Sequence, residues 1–175
     1  MKIQEQKIRD FLDSVASSKP TPGGGSVAAV TGAMAASLVE MVCALTIGKK
    51  NYVEVEGVAK EIKVRAMEIR HELLDSADAD TEAFDKVMEA YKSEDKSKIK
   101  AALFWAIEVP QRTKDLSEEV QKLAVEMAEI GNKNAYSDAM SADYLANAAM
   151  DAATENIEIN KKLLLILAEA EKEKV

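Results

Sequence analysis

Apolar residues recur every three or four positions along most of the chain, which is the spacing of one face of an α-helix. No stretch alternates between apolar and polar residues as a half-buried strand would. The pattern predicts five helices, over Ile3–Ala16, Val27–Lys49, Val53–Tyr91, Ser97–Ile130 and Ser137–Glu171. The 28 alanines support this interpretation, because alanine is the strongest helix former. The sequence therefore predicts an all-α protein, a single-domain antiparallel bundle of about five long helices over residues 1–175.

Proline, glycine and serine predict where these helices begin, bend and end. The segment Ser17–Gly25 contains two prolines and three glycines and separates the first two helices, with Ser26 as the expected N-cap of the second. An interruption of the third helix is expected near Ser76. Pro110 is expected to kink the fourth helix, and Gly131 to end it as a C-cap.

The second predicted helix is apolar on almost every side, which indicates a central helix or one at a subunit interface. Small residues stand four apart along it and would let a neighbouring backbone approach closely. They form two rows, Ala28, Gly32 and Ala36, and Ala29, Ala33 and Ser37. The apolar run Val27–Val39, which Glu40 ends, is shorter than the roughly 20 apolar residues of a membrane helix, so no membrane span is expected.

Composition and charge argue against several classes of function. Lys and Arg number 23 and Asp and Glu 31, so the net charge is −8, which argues against nucleic acid or an anionic membrane as a partner. The single cysteine, Cys43, excludes internal disulfides and multi-thiolate zinc sites. The single histidine, His71, excludes a di-iron bundle, which needs two Glu-x-x-His pairs. Because the charged N-terminus does not resemble a secretory signal, we expect a cytoplasmic protein.

One carboxylate in the acidic cluster between residues 75 and 85 differs from its neighbours. On a helix, Asp80 falls on an apolar stripe, whereas the other four share a face that points to solvent: Asp75, Asp78, Glu82 and Asp85. Burial raises the pKa of a carboxyl group, which is how proteins make a general acid or base that works near neutral pH. Two non-catalytic interpretations stay open. A helix break at Ser76 would expose all five acids, or Asp80 would make a purely structural hydrogen bond.

Two further segments supply candidate binding groups. The run Gly23-Gly24-Gly25-Ser26 opens a buried helix, and the N–H groups at a helix start attract anions and carbonyl oxygens, although a flexible linker is the alternative. In the last helix, Asp138 and Asn156 are eighteen residues and hence five turns apart, so they share a face, and Asn160 lies nearby. Polar side chains above small alanines suit either a ligand cleft or asparagines bonded across the bundle.

Other reactive residue types have simpler interpretations. Glu40 on the apolar second helix is as compatible with a salt bridge, to Lys49, Lys50 or a partner residue, as with catalysis. Cys43 is expected to be inert packing and His71 a surface residue. Three methionines are expected to fill the core, Met127, Met140 and Met150.

These motifs together resemble a known family. The segment Pro20-Thr21-Pro22-Gly23-Gly24-Gly25-Ser26-Val27-Ala28-Ala29, continued through Gly32-Ala33 to Lys49-Lys50 and Tyr52, resembles the start of the formiminotetrahydrofolate cyclodeaminase and methenyltetrahydrofolate cyclohydrolase family. Asp78-Ala79-Asp80-Thr81-Glu82-Ala83-Phe84 is similar to its central acidic motif. In the family's order there follow Val109-Pro110, Gly131-Asn132, Ser137-Asp138, and Asn156 with Asn160, so the resemblance covers nearly the whole chain.

The resemblance implies an all-α homodimer that binds a folate in a cleft near the dimer interface. It assigns the essential aspartate of the family to Asp80, the residue that helical periodicity also selects. Lys49 and Lys50 are expected to meet the glutamate carboxylates of the folate, although lysines at a helix C-terminus are also ordinary dipole partners. The full set of substrate-binding candidates is Pro22, Gly23, Gly24, Gly25, Ser26, Lys49, Lys50, Asn132, Asp138, Asn156 and Asn160.

The implied chemistry needs no metal and no redox cofactor. The expected reaction is that of a cyclodeaminase, in which N10 of formiminotetrahydrofolate attacks the formimino carbon and ammonia leaves, giving methenyltetrahydrofolate. The alternative is a cyclohydrolase, which adds water to the methenyl bridge and gives formyltetrahydrofolate. In both reactions Asp80 would accept or donate the proton. An alternative from another class is a helical dimer that binds a folate or a protein without turning it over.

Overall fold

Five α-helices build the fold. The computed structural model describes residues 2–172, and the helices are α1 (Ile8–Val15), α2 (Gly24–Thr46), α3 (Glu56–Lys92), α4 (Lys96–Ile130) and α5 (Tyr136–Lys172). Short 3₁₀ segments precede α1, α3 and α5, at Ile3–Glu5, Lys50–Val55 and Lys133–Ala135. Within this range no residue lies in a strand, so the predicted all-α class is confirmed.

The first predicted helix is divided into two pieces. The 3₁₀ turn Ile3–Glu5 is separated from α1 by extended backbone at Gln6 and Lys7. The reason lies on α3, where Asp78 Oδ1 accepts the backbone N–H of Ile3 at 2.6 Å. The start of the chain is therefore bonded to α3 instead of continuing the axis of α1.

Helix α2 begins three residues earlier than predicted, and Ser26 is not its N-cap. Gly23 takes that position with an extended backbone, and its carbonyl accepts the N–H of Val27 at 3.0 Å. Ser26 lies inside the first turn and is fully buried. The helix ends at Thr46 instead of Lys49, because Ile47 is extended and Gly48 is left-handed with φ of 75°.

Helices α3 and α4 both continue through a residue expected to disturb them. The predicted interruption of α3 at Ser76 is absent, and the hydroxyl of Ser76 donates to the carbonyl of Glu72 within the continuous helix at 2.9 Å. Pro110 lies inside α4 and does not end it. Gly131 caps α4 as predicted, and its N–H donates to the carbonyl of Met127 at 2.9 Å.

Helix α2 is the central element, as its small residues predict. It packs against α3, α4 and α5, and α4 in turn packs against α3 and α5. Except for Ser37, which is exposed, every member of the two small-residue rows is buried. A Cβ at Gly32 would lie 2.7 Å from Ser117 Oγ and 3.1 Å from Leu73 Cδ1, so the close approach of three helices requires glycine there.

Judged by length and composition alone, α2 is also long and apolar enough to cross a bilayer. It has 23 residues, and an 18-residue stretch of it has a mean hydropathy of 1.8. The expectation that no segment reaches the length and hydropathy of a membrane helix is therefore wrong for α2. Half of that stretch is buried among the other helices, and the core helix of a folded domain passes the same test.

Candidate functional site

A cavity of about 420 Å³ opens at the N-terminal end of α2. Its volume lies in the range typical of small-molecule sites. The first turn of α2, Asp80 on α3, and Asn156 and Asn160 on α5 form its polar wall. The structure therefore brings together several of the predicted residues from three separate helices, namely Gly23, Gly24, Gly25, Asp80, Asn156 and Asn160.

Asp80 is held by the residue that was expected to cap the helix. Its Oδ2 accepts a hydrogen bond from the hydroxyl of Ser26 at 2.7 Å. Burial raises the pKa of Asp80 above the ordinary value of 3.8, while the hydroxyl and the backbone N–H of Ser26 act in the opposite direction without cancelling the rise. A carboxyl group with a raised pKa holds a proton more strongly than an exposed carboxylate does, which suits a general acid or base.

Three of the four neighbouring acids follow the predicted pattern, and Asp78 does not. Asp75, Glu82 and Asp85 are exposed, whereas Asp78 is half-buried and accepts the N–H of Ile3. The exposure of all five acids by a helix break at Ser76 does not occur, because α3 is continuous. Asp80 is thus distinguished from its neighbours by the helical phase of its position.

Gly25 is required by the position of the Asp80 carboxylate. A Cβ on Gly25 would lie 2.6 Å from Asp80 Cγ and still closer to Oδ1, so any side chain there would overlap the carboxylate. The carboxylate instead packs on the bare backbone of the first turn of α2. The partial positive charge at a helix N-terminus stabilises an anion in this position.

The two asparagines of α5 differ in their hydrogen bonds. Asn160 Nδ2 donates to the carbonyl of Ala106 on α4 at 2.7 Å, so this residue is bonded across the bundle. Asn156 Nδ2 donates to the carbonyl of Ala152 in its own helix at 2.8 Å. Both residues also line the cavity. Each amide nitrogen uses one of its two N–H groups in these bonds, so the second N–H and the Oδ1 atom of each side chain are available to a ligand.

Sequence reasoning missed the apolar side of the cavity. The signal was present, because positions 80, 84, 87 and 91 follow one another at helical spacing and share one face of α3. Extending the stripe that selected Asp80 by one more turn would have included Tyr91. The apolar lining comprises Ala83, Phe84, Val87, Met88, Tyr91, Ile159 and Leu163.

Four candidates lie far from this cavity. Lys49 and Lys50 are exposed just past the opposite end of α2, whose 23 residues span about 35 Å. Asn132 lies at that same far end, where its Nδ2 donates to the carbonyl of Leu45 at 2.8 Å. Asp138 lies in the first turn of α5, about 27 Å along the helix from Asn156.

Two other predicted features also lie elsewhere. Pro22 lines a smaller neighbouring cavity of about 280 Å³, together with Asp78 and Thr81. The three alanines of α5 that were expected to form the floor of a cleft are packed in the core. They are Ala142, Ala149 and Ala153. Sharing a helical face therefore does not place Asp138 in one site with Asn156.

The remaining reactive residues have structural roles. Arg70 Nε and Glu40 Oε1 form an ion pair at 2.6 Å, so the salt-bridge interpretation of Glu40 is confirmed with a partner other than the two lysines. Burial raises the pKa of the Cys43 thiol to about 12, which makes it unreactive. His71 is exposed and Met127 is buried, as predicted. Among the side chains that the structure describes, those of residues 2–169, no three His, Cys, Asp or Glu gather as metal ligands.

Comparisons with known proteins identify a matching family, related proteins and a similar solved structure. The model of the formiminotransferase-cyclodeaminase family matches residues 7–173. A methenyltetrahydrofolate cyclohydrolase of Methylorubrum extorquens is 45% identical over 166 residues, which are 90% of this chain and 80% of that protein. A formimidoyltransferase-cyclodeaminase of Sus scrofa is 30% identical over 169 residues, which are 91% of this chain and 31% of that protein. The crystal structure of a formiminotetrahydrofolate cyclodeaminase from Thermotoga maritima matches with a TM-score of 0.88 and 37% identity, over 98% of this chain and 90% of that one.

Proposed function

Because this chain belongs to the formiminotransferase-cyclodeaminase family, whose relatives are named as folate one-carbon enzymes, we propose that it is a methenyltetrahydrofolate cyclohydrolase. The observation that carries an enzymatic function is the half-buried Asp80, with its raised pKa, at the head of a ligand-sized cavity. The choice of reaction rests on 45% identity across 80% of a protein of that name. This choice reverses the order in the sequence analysis, where the cyclodeaminase stood first.

In the proposed reaction, water adds to the carbon that bridges N5 and N10 of the cationic substrate. The Asp80 carboxylate accepts a proton from the water as the carbon–oxygen bond forms, which gives a tetrahedral carbinolamine. Asp80 then donates that proton to N5 while the carbon–N5 bond breaks and the hydroxyl proton leaves to solvent. The product is 10-formyltetrahydrofolate, and one proton is released overall. A carboxyl group with a raised pKa suits both halves of this cycle.

The surroundings of Asp80 support the same assignment. The hydroxyl of Ser26 already donates to Oδ2 of Asp80, so Oδ1 is the oxygen that accepts the proton of the water in the proposed reaction. The first N–H groups of a helix have no partner within the helix, so those of Gly24 and Gly25 are suited to the oxygen of the tetrahedral intermediate. The amide oxygens of Asn156 and Asn160 are suited to N–H groups of the pterin. Water and one acid–base group suffice for this chemistry, so we propose that it uses no cofactor.

A cyclodeaminase is the second candidate. It is favoured by the match to the Thermotoga maritima structure of that name, at 37% identity over 90% of its length. In that reaction Asp80 would accept the proton of N10 as it attacks the formimino carbon. The carboxyl group would then protonate the departing nitrogen, so that ammonia leaves as the methenyl bridge forms.

An optical assay separates the two reactions, because methenyltetrahydrofolate has a distinct absorption band in the near ultraviolet. A cyclohydrolase accelerates the loss of this band when methenyltetrahydrofolate is the substrate. A cyclodeaminase makes the band grow when formiminotetrahydrofolate is supplied. If neither change exceeds that seen with the Asp80→Asn variant, the enzymatic proposal is wrong. A folate-dependent rise in melting temperature would then indicate a binding protein.

We also propose that the chain is an antiparallel bundle that forms homodimers. Along α2 the contacts of Gly25, Gly32 and Glu40 fall on Asp80, Leu73 and Arg70 of α3, so residue numbers rise on one helix and fall on the other. Helix α2 also keeps an exposed apolar stripe that contains Met34, Met41 and Leu45. Such a stripe on a central helix suits a subunit contact. Light scattering of Met41→Glu beside the unchanged protein tests it, since a monomer is expected only for the variant.

A further inference from the structure

The cavity at Asp80 has a polar end and an apolar end. The hydrogen-bonding groups are concentrated at one end, around Asp80, Gly24 and Asn156. The lining side chains farther along α3 and α5 are apolar except for the phenol of Tyr91 and the amide of Asn160, which is bonded to the carbonyl of Ala106. We call this part the apolar trough, and it is lined by Val87, Met88, Tyr91, Ile159 and Leu163.

The apolar trough leads away from Asp80 along two helices. On α3, Tyr91 lies eleven residues beyond Asp80, which corresponds to about 16 Å. On α5, Leu163 lies seven residues beyond Asn156. Val87 and Leu163 belong to one apolar cluster, so α3 and α5 remain packed side by side as they lead away from the polar end. The trough is therefore long enough to hold a ring and its substituent beside a group that reacts at Asp80.

The outer end of the trough exposes apolar side chains to solvent. The exposed fractions are 43% for Met88, 41% for Tyr91 and 54% for Ile159. Large apolar side chains that line a cavity while remaining exposed are typical of a ligand contact. The ring of Tyr91 can stack on an aromatic ligand, and the thioether of Met88 can contact the edge of such a ring.

The substrate of the proposed reaction also has two unlike halves. The bridge carbon separates a pterin, which carries several N–H and carbonyl groups, from a p-aminobenzoyl ring, which is flat and mostly apolar. Burying hydrogen-bonding groups without partners is costly, so the pterin suits the polar end. We infer that the apolar trough binds the p-aminobenzoyl ring, with Tyr91 as a specificity-determining residue. This inference rests on the proposed function.

This orientation explains how an acidic protein can hold an anionic ligand. With the ring in the trough, the glutamate tail passes Tyr91, one residue before the last residue of α3, and enters solvent. Its carboxylates then stay hydrated and require no buried cation. Glu56, which accepts the N–H of Gly48 beside the two lysines, is 35 residues before Tyr91 on α3. The tail accordingly lies about 50 Å along α3 from Lys49 and Lys50, the residues that the sequence had suggested as its partners.

Substrate truncation combined with a Tyr91 variant tests the inference. We would measure kcat/KM for methenyltetrahydrofolate and for the methenyl derivative of 6-aminomethyltetrahydropterin, which ends at N10 and has no benzoyl ring. Tyr91→Ala is expected to lose about tenfold with the full substrate and less than about twofold with the truncated one. Equal losses with both substrates, or no loss with either, would overturn the inference.

Two further variants separate loss of the contact from general damage. Tyr144→Ala removes an exposed tyrosine of α5 that does not line the cavity, and it should change neither value. Tyr91→Phe keeps the ring and should preserve both. If Tyr91→Ala does not fold, Met88→Ala takes its place, with a smaller loss that is again confined to the full substrate.

A binding measurement distinguishes failure of this inference from failure of the proposed reaction. Calorimetry with p-aminobenzoylglutamate alone reports on the trough without any turnover. Binding by the unchanged protein that weakens about tenfold in Tyr91→Ala supports the trough even if no methenyl substrate is hydrolysed. Equal binding by both proteins, or binding by neither, overturns it whatever the catalytic result.

Discussion

The two ends of α2 carry similar sets of polar residues and use them differently. At the C-terminal end, the hydroxyl of Thr46 accepts the N–H of Asn132 at 3.0 Å, and Tyr52 Oη accepts the N–H of Lys133 at 3.0 Å. These bonds connect the loops that follow α2 and α4. At the N-terminal end, Ser26 bonds a single oxygen of Asp80, and the rest of that carboxylate borders a cavity.

The difference shows what separates a structural polar cluster from a reactive one. Every polar group just described at the C-terminal end bonds to another part of the protein, so none is left for a ligand. At the N-terminal end, glycine brings a carboxylate against bare backbone, and burial is opposed only by one hydroxyl and one N–H. The pKa of a carboxyl group in that position stays raised, so the group can accept and release a proton during catalysis.

The largest effect is expected from Asp80→Asn. Removal of the acid–base group should lower kcat by about 10²- to 10⁴-fold while the helical content is retained. Asp78→Asn is the matched control, since it removes a carboxylate two residues away that does not line the cavity, and its kcat should stay within about threefold. Equal activity of both variants would remove Asp80 from the mechanism.

The same substitution should also change how stability depends on pH. Because the pKa of Asp80 is raised by folding, its contribution to stability is full below pH 3.8 and is lost as pH rises through the folded-state value. Asp80→Asn should therefore melt at the same or a higher temperature than the unchanged protein at pH 7, and lose that advantage in acid. Calorimetric melting at several pH values measures this, and a variant that is less stable only at neutral pH would contradict it.

Gly25→Ala is expected to have the next largest effect. The added methyl group must displace Asp80, so kcat should fall by about 10²-fold and stability by about 1–3 kcal/mol. Gly57→Ala on α3 is the control, because a Cβ there meets nothing within 4 Å. That variant should be as active as the unchanged protein and slightly more stable. Steady-state kinetics and denaturant unfolding measure both, and an active Gly25→Ala would show that the carboxylate position is not critical.

Ser26→Ala should have a smaller effect that depends on pH. Loss of the hydroxyl bond removes an influence that lowers the pKa of Asp80, so the carboxylate forms only at higher pH. The acidic limb of the kcat/KM profile should move to higher pH, with a loss of roughly three- to tenfold below the inflection. Ser26→Thr keeps a hydroxyl and should restore the profile. A uniform loss at every pH would indicate a merely structural role.

The smallest effects are expected at the C-terminal end of α2. Asn132→Ala should lower stability by about 0.5–1.5 kcal/mol through the lost bond to Leu45 and leave kcat/KM within about twofold. Lys49→Ala with Lys50→Ala should leave KM within about twofold, since both lysines are exposed far from the cavity. A tenfold rise in KM would restore these lysines as contacts of the substrate.

Periodicity predicted most of the fold, and it failed where tertiary contacts decide. Each of the five helices overlaps the segment where the apolar repeat placed it, and Asp80 was selected by helical phase alone. The starts of α1 and α2 were misplaced because they depend on Asp78 and Asp80, which lie more than fifty residues away in the sequence. Lys49 and Asn132 belong to motifs of the family, but a motif does not state which end of a 35 Å helix faces the ligand.

The central claim is that Asp80 is a carboxyl group of raised pKa in a cavity built for proton transfer. The most direct measurement is a ¹³C NMR titration of the aspartate carboxyl groups, with the Asp80→Asn variant to assign the signal. We expect one aspartate to titrate clearly above the ordinary value of 3.8 and to be missing from the variant. A spectrum in which the signal lost in the variant titrates at or below that value would contradict the account.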